Sequence, residues 1–208
     1  HIDFYKNYKN LENCFVKFIN KTPPIGKCII CNDDENIKKL KKKIKIKNIL
    51  TYGFTSSSNY QVVKPKYNIS NCKFDLIIKN VTGKKIIIKN IVLNLIGKHN
   101  ILNSVASIIV CLNLGINIKI IKKALFRFSG VQRRMTKLFE KNNNEFYDDY
   151  AHHPTEIYSV LESIKKVSNK KKITSVFQPH RFSRVNFLKK EFSKSFKFSD
   201  RVVLCPVY

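Results

Sequence analysis

All five histidines and four of the six arginines fall in four short segments: His1-Ile2-Asp3, Gly97 to Asn103, Arg133-Arg134 with Asp148 to Glu156, and Phe177 to Arg184. Lysine supplies most of the 40 basic residues elsewhere, so these types stand out by position. Imidazole exchanges protons near neutrality, and guanidinium grips carboxylate or phosphoryl oxygens with paired donors. The chemistry is therefore expected where an ammonium does not suffice.

Asp148-Asp149-Tyr150-Ala151-His152-His153-Pro154-Thr155-Glu156 sets Pro154 at the first position of a helix, and so puts both histidines in the loop leading into it. Free amides and the helix dipole there favour an anion. The competing reading is that His153 only caps the helix and His152 packs against a sheet. Phe177-Gln178-Pro179-His180-Arg181-Phe182-Ser183-Arg184 follows the next strand, so both segments are expected to converge on the carboxyl edge of one parallel sheet. Arg181 and Arg184, three apart, are expected to share one face of a helical turn and hold a carboxylate or phosphoryl group. Asn100 and Asn103 open another helix, as purine-edge ligands or simply as capping residues. Arg133-Arg134 follows a boundary from which an arginine reaches across a cleft, with surface basicity as the alternative.

The elements that must position these groups follow from periodicity. Phe4, Tyr8, Leu11, Phe15, Phe18 and Ile19 predict an amphipathic helix over about 4–20, ended by Thr22-Pro23-Pro24. A buried strand over 27–31 leads into a helix capped at Asn32-Asp33-Asp34, with a strand over 46–54 after it. Cys28 and Cys31 read as small buried hydrophobes on opposite faces of that first strand, not as half of a metal site. From Tyr60 to Leu95 the alternation predicts an antiparallel ribbon turning at Val81-Thr82-Gly83-Lys84. Two helices ending at Gly115 and Gly130 follow, with a domain boundary near Gly130. Beyond it are expected a hairpin (135–141 and 145–150), a helix over 154–167, a buried strand over 173–177, a helix over 185–198 and a strand over 202–205. This alternation implies a parallel, doubly wound sheet, cut short at Tyr208.

With 43% apolar residues the 208-residue chain can build a proper core, and its net charge of +26 is spread along the whole length. Dispersed lysine reads as solvated surface and not as a nucleic-acid footprint. No apolar run is long enough to span a bilayer and no signal pattern opens the chain, so a cytosolic protein without membrane insertion is expected. A complete phosphate-cradling glycine loop is absent from the sequence.

In collinear order, His1-Ile2-Asp3, Asn32-Asp33-Asp34, Thr51-Tyr52-Gly53-Phe54, Gly97 to Asn103, Phe128 to Arg134, Asp148 to Glu156 and Phe177 to Arg184 resemble the Mur ligases of peptidoglycan synthesis. The likeness is greatest to members joining L-alanine to UDP-N-acetylmuramate. The resemblance implies an α/β chain comprising the later part of a central ATPase domain (1–130, a parallel sheet plus a small antiparallel ribbon) and the first part of a Rossmann-like carboxy-terminal domain (131–208). It implies ATP and Mg2+ as cofactors, with His1 a magnesium ligand, Asn100 and Asn103 at adenine, Arg134 at the phosphates and Asp149 at the ribose. Tyr150, His152, His180, Arg181 and Arg184 would then position L-alanine and the muramyl carboxylate, which passes through an acyl phosphate. The missing amino-terminal regions of the same enzyme would be a necessary partner, and the fragment alone would not turn over. Met135 departs from the aromatic usual after the arginine pair. A murein tripeptide recycling ligase and a nonenzymatic basic nucleic-acid-binding protein are the alternatives.

Overall fold

A computed structural model describes residues 2–80, 83–168 and 171–208. His1 therefore lies outside the described residues, as do Val81 and Thr82 of the expected turn. The predicted first helix is two helices, α1 (Ile2–Tyr5) and α2 (Tyr8–Asn20). Lys6 adopts φ +66° between them, and the Asn7 side chain accepts a hydrogen bond from the Asn10 amide to start α2 afresh. Only Ile19 of α2 is buried, and Phe18 is 74% exposed, so most of the apolar stripe has no cover among the described residues.

Strand β1 (Cys28–Cys31) leads to α3 (Glu35–Leu40), capped by the Asp34 carboxylate, and through a 3-10 turn to β2 (Ile49–Gly53). Cys28 and Cys31 are half-buried thiols instead of buried ones. Strands β3 (Tyr60–Tyr67), β4 (Cys72–Lys79) and β5 (Lys85–Leu93) form the expected antiparallel ribbon. They extend the same sheet in the order β1-β2-β3-β4-β5, parallel from β1 to β3 and antiparallel beyond.

Helix α4 (Lys98–Asn113) covers this sheet because Ile101, Val105, Ile108 and Ile109 recur at helical spacing and are fully buried. They pack with Phe74 and Leu76 of β4, Ile91 of β5 and Ile121 of α5 (Ile118–Arg127). Each such side chain contributes about 1.5–3 kcal/mol by leaving water.

The carboxy-terminal part opens with the hairpin β6 (Thr136–Lys141) and β7 (Asn144–Asp148). Its two-residue turn is Asn142-Asn143, both at positive φ, which matches the strands' right-handed twist. Helix α6 (Pro154–Val167) starts and stops where its proline and apolar spacing place it. Strand β8 (Thr174–Phe177) pairs in parallel with β9 (Arg201–Leu204), and between them run α7 (Phe182–Phe187) and α8 (Lys189–Ser195). The helix expected over 185–198 thus begins earlier and breaks at Leu188. Ile157 and Leu161 of α6 pack with Leu188 and Phe192 in a second, smaller core. Strand β8 is not the buried strand expected, since Val176 is 70% exposed where no described element covers the sheet. Among the described residues no helix is long and apolar enough to cross a membrane.

Candidate active site

The Asp148–Glu156 segment is tied down by its own backbone. Asp149 accepts from the Met135 amide at 2.9 Å through one oxygen and from the Ala151 amide at 2.7 Å through the other. The Tyr150 amide donates to the Arg133 carbonyl, and the Arg133 guanidinium lies 4.8 Å over the Tyr150 ring and 3.3 Å from Asp148. These contacts explain why Arg133 and Met135 hold positive φ: the chain must double back to meet the end of β7. Asp149, expected at a ribose, spends both oxygens on this tie.

At the mouth of α6 the two histidines take opposite roles. His153 is the cap: its Nδ1 accepts from the Thr155 amide at 3.3 Å, while Glu156 accepts from the His152 and His153 amides. His152 Nδ1 lies 2.9 Å from the Tyr150 carbonyl oxygen, an acceptor only, so that nitrogen carries the proton. In the neutral ring His152 therefore presents a bare Nε2, whereas His153 presents an Nε2–H. Burial pushes the His153 pKa down, opposed by the Glu156 charge and assisted by Arg184. Burial would raise the Glu156 carboxyl, but the His152 amide, the His152 and Arg134 charges and the His153 amide outweigh it and lower it. Arg134 Nη1 stands 3.6 Å from Glu156.

In the second segment, Pro179 is buried, the Tyr208 amide donates to its carbonyl and the Arg181 amide donates to Tyr208. His180 stacks against the Tyr208 ring with centroids 5.7 Å apart. Arg181 precedes α7 at φ +65° and is exposed, whereas Arg184 is only 8% exposed. Arg184 Nη1 is buried without a hydrogen-bond partner. The two arginines sit in different surroundings instead of on one shared face.

The expectation that both segments leave strands of one parallel sheet does not hold, because β7 belongs to the hairpin and only β8 to the parallel pair. They nevertheless meet, through His153 and Arg184, which line one cleft of about 390 Å³ with Lys6 and Tyr8 of the amino-terminal part. Tyr150, His152, His180 and Arg181 lie outside that cleft's lining.

Helix α4 brings the amino-terminal part to the same region. Gly97 is buried at its start with φ +102°, and a Cβ there would stand 2.5 Å from Ser163 Oγ of α6. The Asn100 side chain is not a cap; it donates back to the Ile96 carbonyl at 2.8 Å, and Asn103 is exposed. His99, one of the clustered histidines but given no role by the sequence, has a buried Nδ1 with no partner. Burial lowers its pKa, the Asp149 charge counters this and Arg134 adds to it, so the ring faces the Arg134–Asp149 loop. Glu156 was equally missed; its position three residues after the cap was the available signal. Farther off, Asp33 accepts from the amides of Phe54 and Thr55 and from the Thr55 hydroxyl, which fixes the Thr51–Phe54 segment. Among the described residues no group of three or more His, Cys, Asp or Glu is placed to hold a metal.

What this arrangement offers is a proton acceptor at His152, donors at His153 and Arg184, and a half-buried imidazole at His99, with its Nδ1 unpartnered, across the junction. Residues 1–111 match the family described as the Mur ligase middle domain, and residues 133–207 the Mur ligase, glutamate ligase domain. A UDP-N-acetylmuramate--L-alanine ligase of Pelagibacter ubique is 49% identical over the whole chain, and one of Hydrogenobaculum is 39% identical. The chain spans about half the length of these curated relatives, 45% in both cases. The crystal structure of UDP-N-acetylmuramate-alanine ligase from Thermotoga maritima superposes with a TM-score of 0.74 at 28% identity, covering 100% of this chain and 44% of that one. A murein peptide ligase of Psychrobacter arcticus, at 21% identity and a TM-score of 0.67 over 93% of this chain and 40% of its own, shares the fold.

Proposed function

Because the chain belongs to the Mur ligase family, we propose that it is part of an ATP-dependent ligase joining L-alanine to UDP-N-acetylmuramate through an acyl phosphate. The observation that carries this reading is 49% identity along the entire chain to a relative of that name. We place the division between a central ATP-binding domain and a ligase domain at Gly130, and the enzyme in the cytosol.

In this reading Asn100 and Asn103 hold adenine, Arg134 the phosphates and Asp149 the ribose, the last through lone pairs its backbone contacts leave over. The unpartnered buried nitrogens of His99 and Arg184 suit a polar, anionic ligand at the junction. His1 is the residue the family likeness assigns to magnesium, which when bound neutralises charge on phosphoryl oxygens. Tyr150, His152, His180, Arg181 and Arg184 orient the muramyl carboxylate and the amine. As the amine attacks the activated carboxyl carbon it must lose a proton, and the bare Nε2 of His152 is a suitable acceptor. Arg181 and Arg184 stabilise the charge that accumulates on the tetrahedral oxygens.

The test is amide formation by the intact protein with ATP, UDP-N-acetylmuramate and L-alanine, against the same mixture with free murein tripeptide. Turnover with L-alanine is expected; turnover with tripeptide alone would overturn the assignment. Arg181→Lys is expected to lower turnover by up to the 3–4 kcal/mol that roughly one oxyanion donor supplies, while the unfolding midpoint stays put, because Arg181 is exposed. Unchanged kinetics would remove Arg181 from the site.

A further inference from the structure

Lysine is spread along the whole chain, but carboxylates are not: between Asp75 and Glu140 the sequence carries nine lysines and three arginines and no acidic residue. Helix α5 lies within that stretch. The Asn117 side chain caps it by accepting from the Lys119 amide, and its inner face is spent on the main core, where Ile121 is buried and Ile118 and Leu125 are partly buried. The Lys122 ammonium donates to the Lys89 carbonyl and so ties the helix to β5, the edge strand of the five-stranded sheet.

With about 3.6 residues per turn, Lys119, Ile120, Lys123, Phe126 and Arg127 fall on the opposite side, within roughly a third of the helix circumference. All five are exposed, Ile120 by 61% and Phe126 by 55%. Leu114, in the turn that leads from α4 to α5, adds an apolar side chain that is 73% exposed. Among the described residues Lys119, Lys123 and Arg127 have no carboxylate within ion-pair distance. Scattered exposed apolar residues are ordinary on a protein surface, but here they share one helix face with cations and no anion. Such a face fits a partner that offers negative charge and an apolar layer together. A polynucleotide supplies the charge alone. An anionic bilayer supplies both, with headgroup phosphates for the cations, acyl chains for the apolar tips and the boundary between them for the lysine stems.

We propose that the outer face of α5 is a docking surface for an anionic lipid bilayer, on which the helix lies flat in the headgroup layer with Ile120 and Phe126 inserted and Lys119, Lys123 and Arg127 against lipid phosphates. The attachment is peripheral: ten helical residues span about 15 Å, roughly half the thickness of the hydrocarbon layer. It does not rest on the ligase reading, because none of these side chains has a role in that chemistry and binding is measured without turnover.

The experiment is co-sedimentation of the intact protein with vesicles of equal parts phosphatidylcholine and phosphatidylglycerol, beside vesicles of phosphatidylcholine alone and beside polyuridylate RNA. Salt is held at about 0.15 M so that attraction to the general positive surface is screened. Binding to the anionic vesicles and not to the neutral ones is expected. Lys119→Glu combined with Lys123→Glu should weaken it at least about tenfold, whereas Lys190→Glu combined with Lys194→Glu, the same charge change at the same spacing on exposed positions of α8, should alter it less than about threefold. Ile120→Ser combined with Phe126→Ser should weaken vesicle binding at least about fivefold and leave any RNA binding as it was. All of these side chains are exposed, so unfolding midpoints should stay put; if Phe126→Ser shifts its midpoint, Ile120→Ser alone carries the apolar comparison. Absence of binding to the anionic vesicles, or equal weakening by the two charge reversals, overturns the proposal. So does RNA bound as tightly as the vesicles with the apolar pair weakening neither, since the face would then be a general polyanion site.

Discussion

Gly97→Ala should damage the junction between the two parts of the chain, by an amount that separates into two pieces. Gly97 has φ +102° and ψ 148°, a region that only glycine occupies without strain. Holding alanine there costs about 1–3 kcal/mol. The added Cβ also falls 2.5 Å from Ser163 Oγ and 2.8 Å from His99 Cε1, well inside contact distance. Overpacking of that kind costs about another 1–3 kcal/mol. Ser163 supplies the closer atom, and its hydroxyl otherwise only donates back within α6 to the Ser159 carbonyl. Ser163→Ala alone should therefore be mild, about 1 kcal/mol or less. In the double variant the Ser163 share of the steric piece is relieved, while the His99 contact and the backbone piece remain, giving a favourable coupling of about 1 kcal/mol. Urea unfolding of the intact protein and the three variants measures all four terms. A Gly97→Ala loss below about 1 kcal/mol, or strictly additive costs, would refute the account of α4 docking against α6.

Three further outcomes follow from hydrogen bonding and titration. Asp33→Asn should destabilise by about 1–3 kcal/mol at neutral pH, because charge-assisted bonds to Phe54 and Thr55 are lost. Burial alone would raise the Asp33 carboxyl, but those bonds and Lys98 lower it overall. Its contribution is full above the ordinary aspartate value of about 3.9 and disappears as pH falls below it, so the variant should show a flatter acid limb in urea titrations from pH 5 to 2. His99 runs through the opposite protonation chemistry with the same direction in pH: its folded value is depressed, mainly by burial, so stability is full above about 6.5 and drains as pH falls below that. His99→Leu should reduce the stability slope between pH 7 and 5; an unaltered slope would mean that the ring is not buried in solution. Finally, 15N chemical shifts of the neutral rings should show the proton on Nδ1 of His152 and on Nε2 of His153, and the same tautomer at both would contradict the capping geometry.

Much of this arrangement was legible from local chemistry. Pro154 and the apolar spacing behind it placed α6 to the residue, and the run Asn142-Asn143-Asn144 marked the hairpin turn, although its third asparagine already begins β7. Where local signals competed, periodicity was a poorer guide. Asn7 restarts the first helix because its side chain caps the Asn10 amide, a bond that a count of apolar positions does not register. The ribbon from Tyr60 to Leu93 alternates as a free hairpin would, and only its pairing to β2 reveals one continuous sheet. Strand β8 reads as buried because Val176 and Phe177 are apolar, but only Phe177 finds a neighbour, packing against Phe192 and Phe196, while Val176 is 70% exposed on the face that no described element covers.

The site residues show the same division more sharply. Arg181 and Arg184 are equivalent by spacing, yet a left-handed backbone at Arg181 puts it ahead of the helix while Arg184 falls on the helix's buried side. His152 and His153 are equivalent by composition, yet a carbonyl meets Nδ1 of one and an amide meets Nδ1 of the other. Residue type thus limits which reactions are possible, whereas the hydrogen bond on the far nitrogen determines which atom faces the ligand and whether it gives or takes a proton. A histidine pair at a helix mouth is consequently two different reagents, and replacing either by the other's neighbour-compatible surrogate tests a different function: asparagine at 153 retains an acceptor for the Thr155 amide, while asparagine at 152 removes the bare ring nitrogen. Stability should follow the first substitution little, and proton transfer should follow the second strongly, because capping needs only an acceptor and proton transfer needs an unprotonated ring nitrogen, which asparagine lacks.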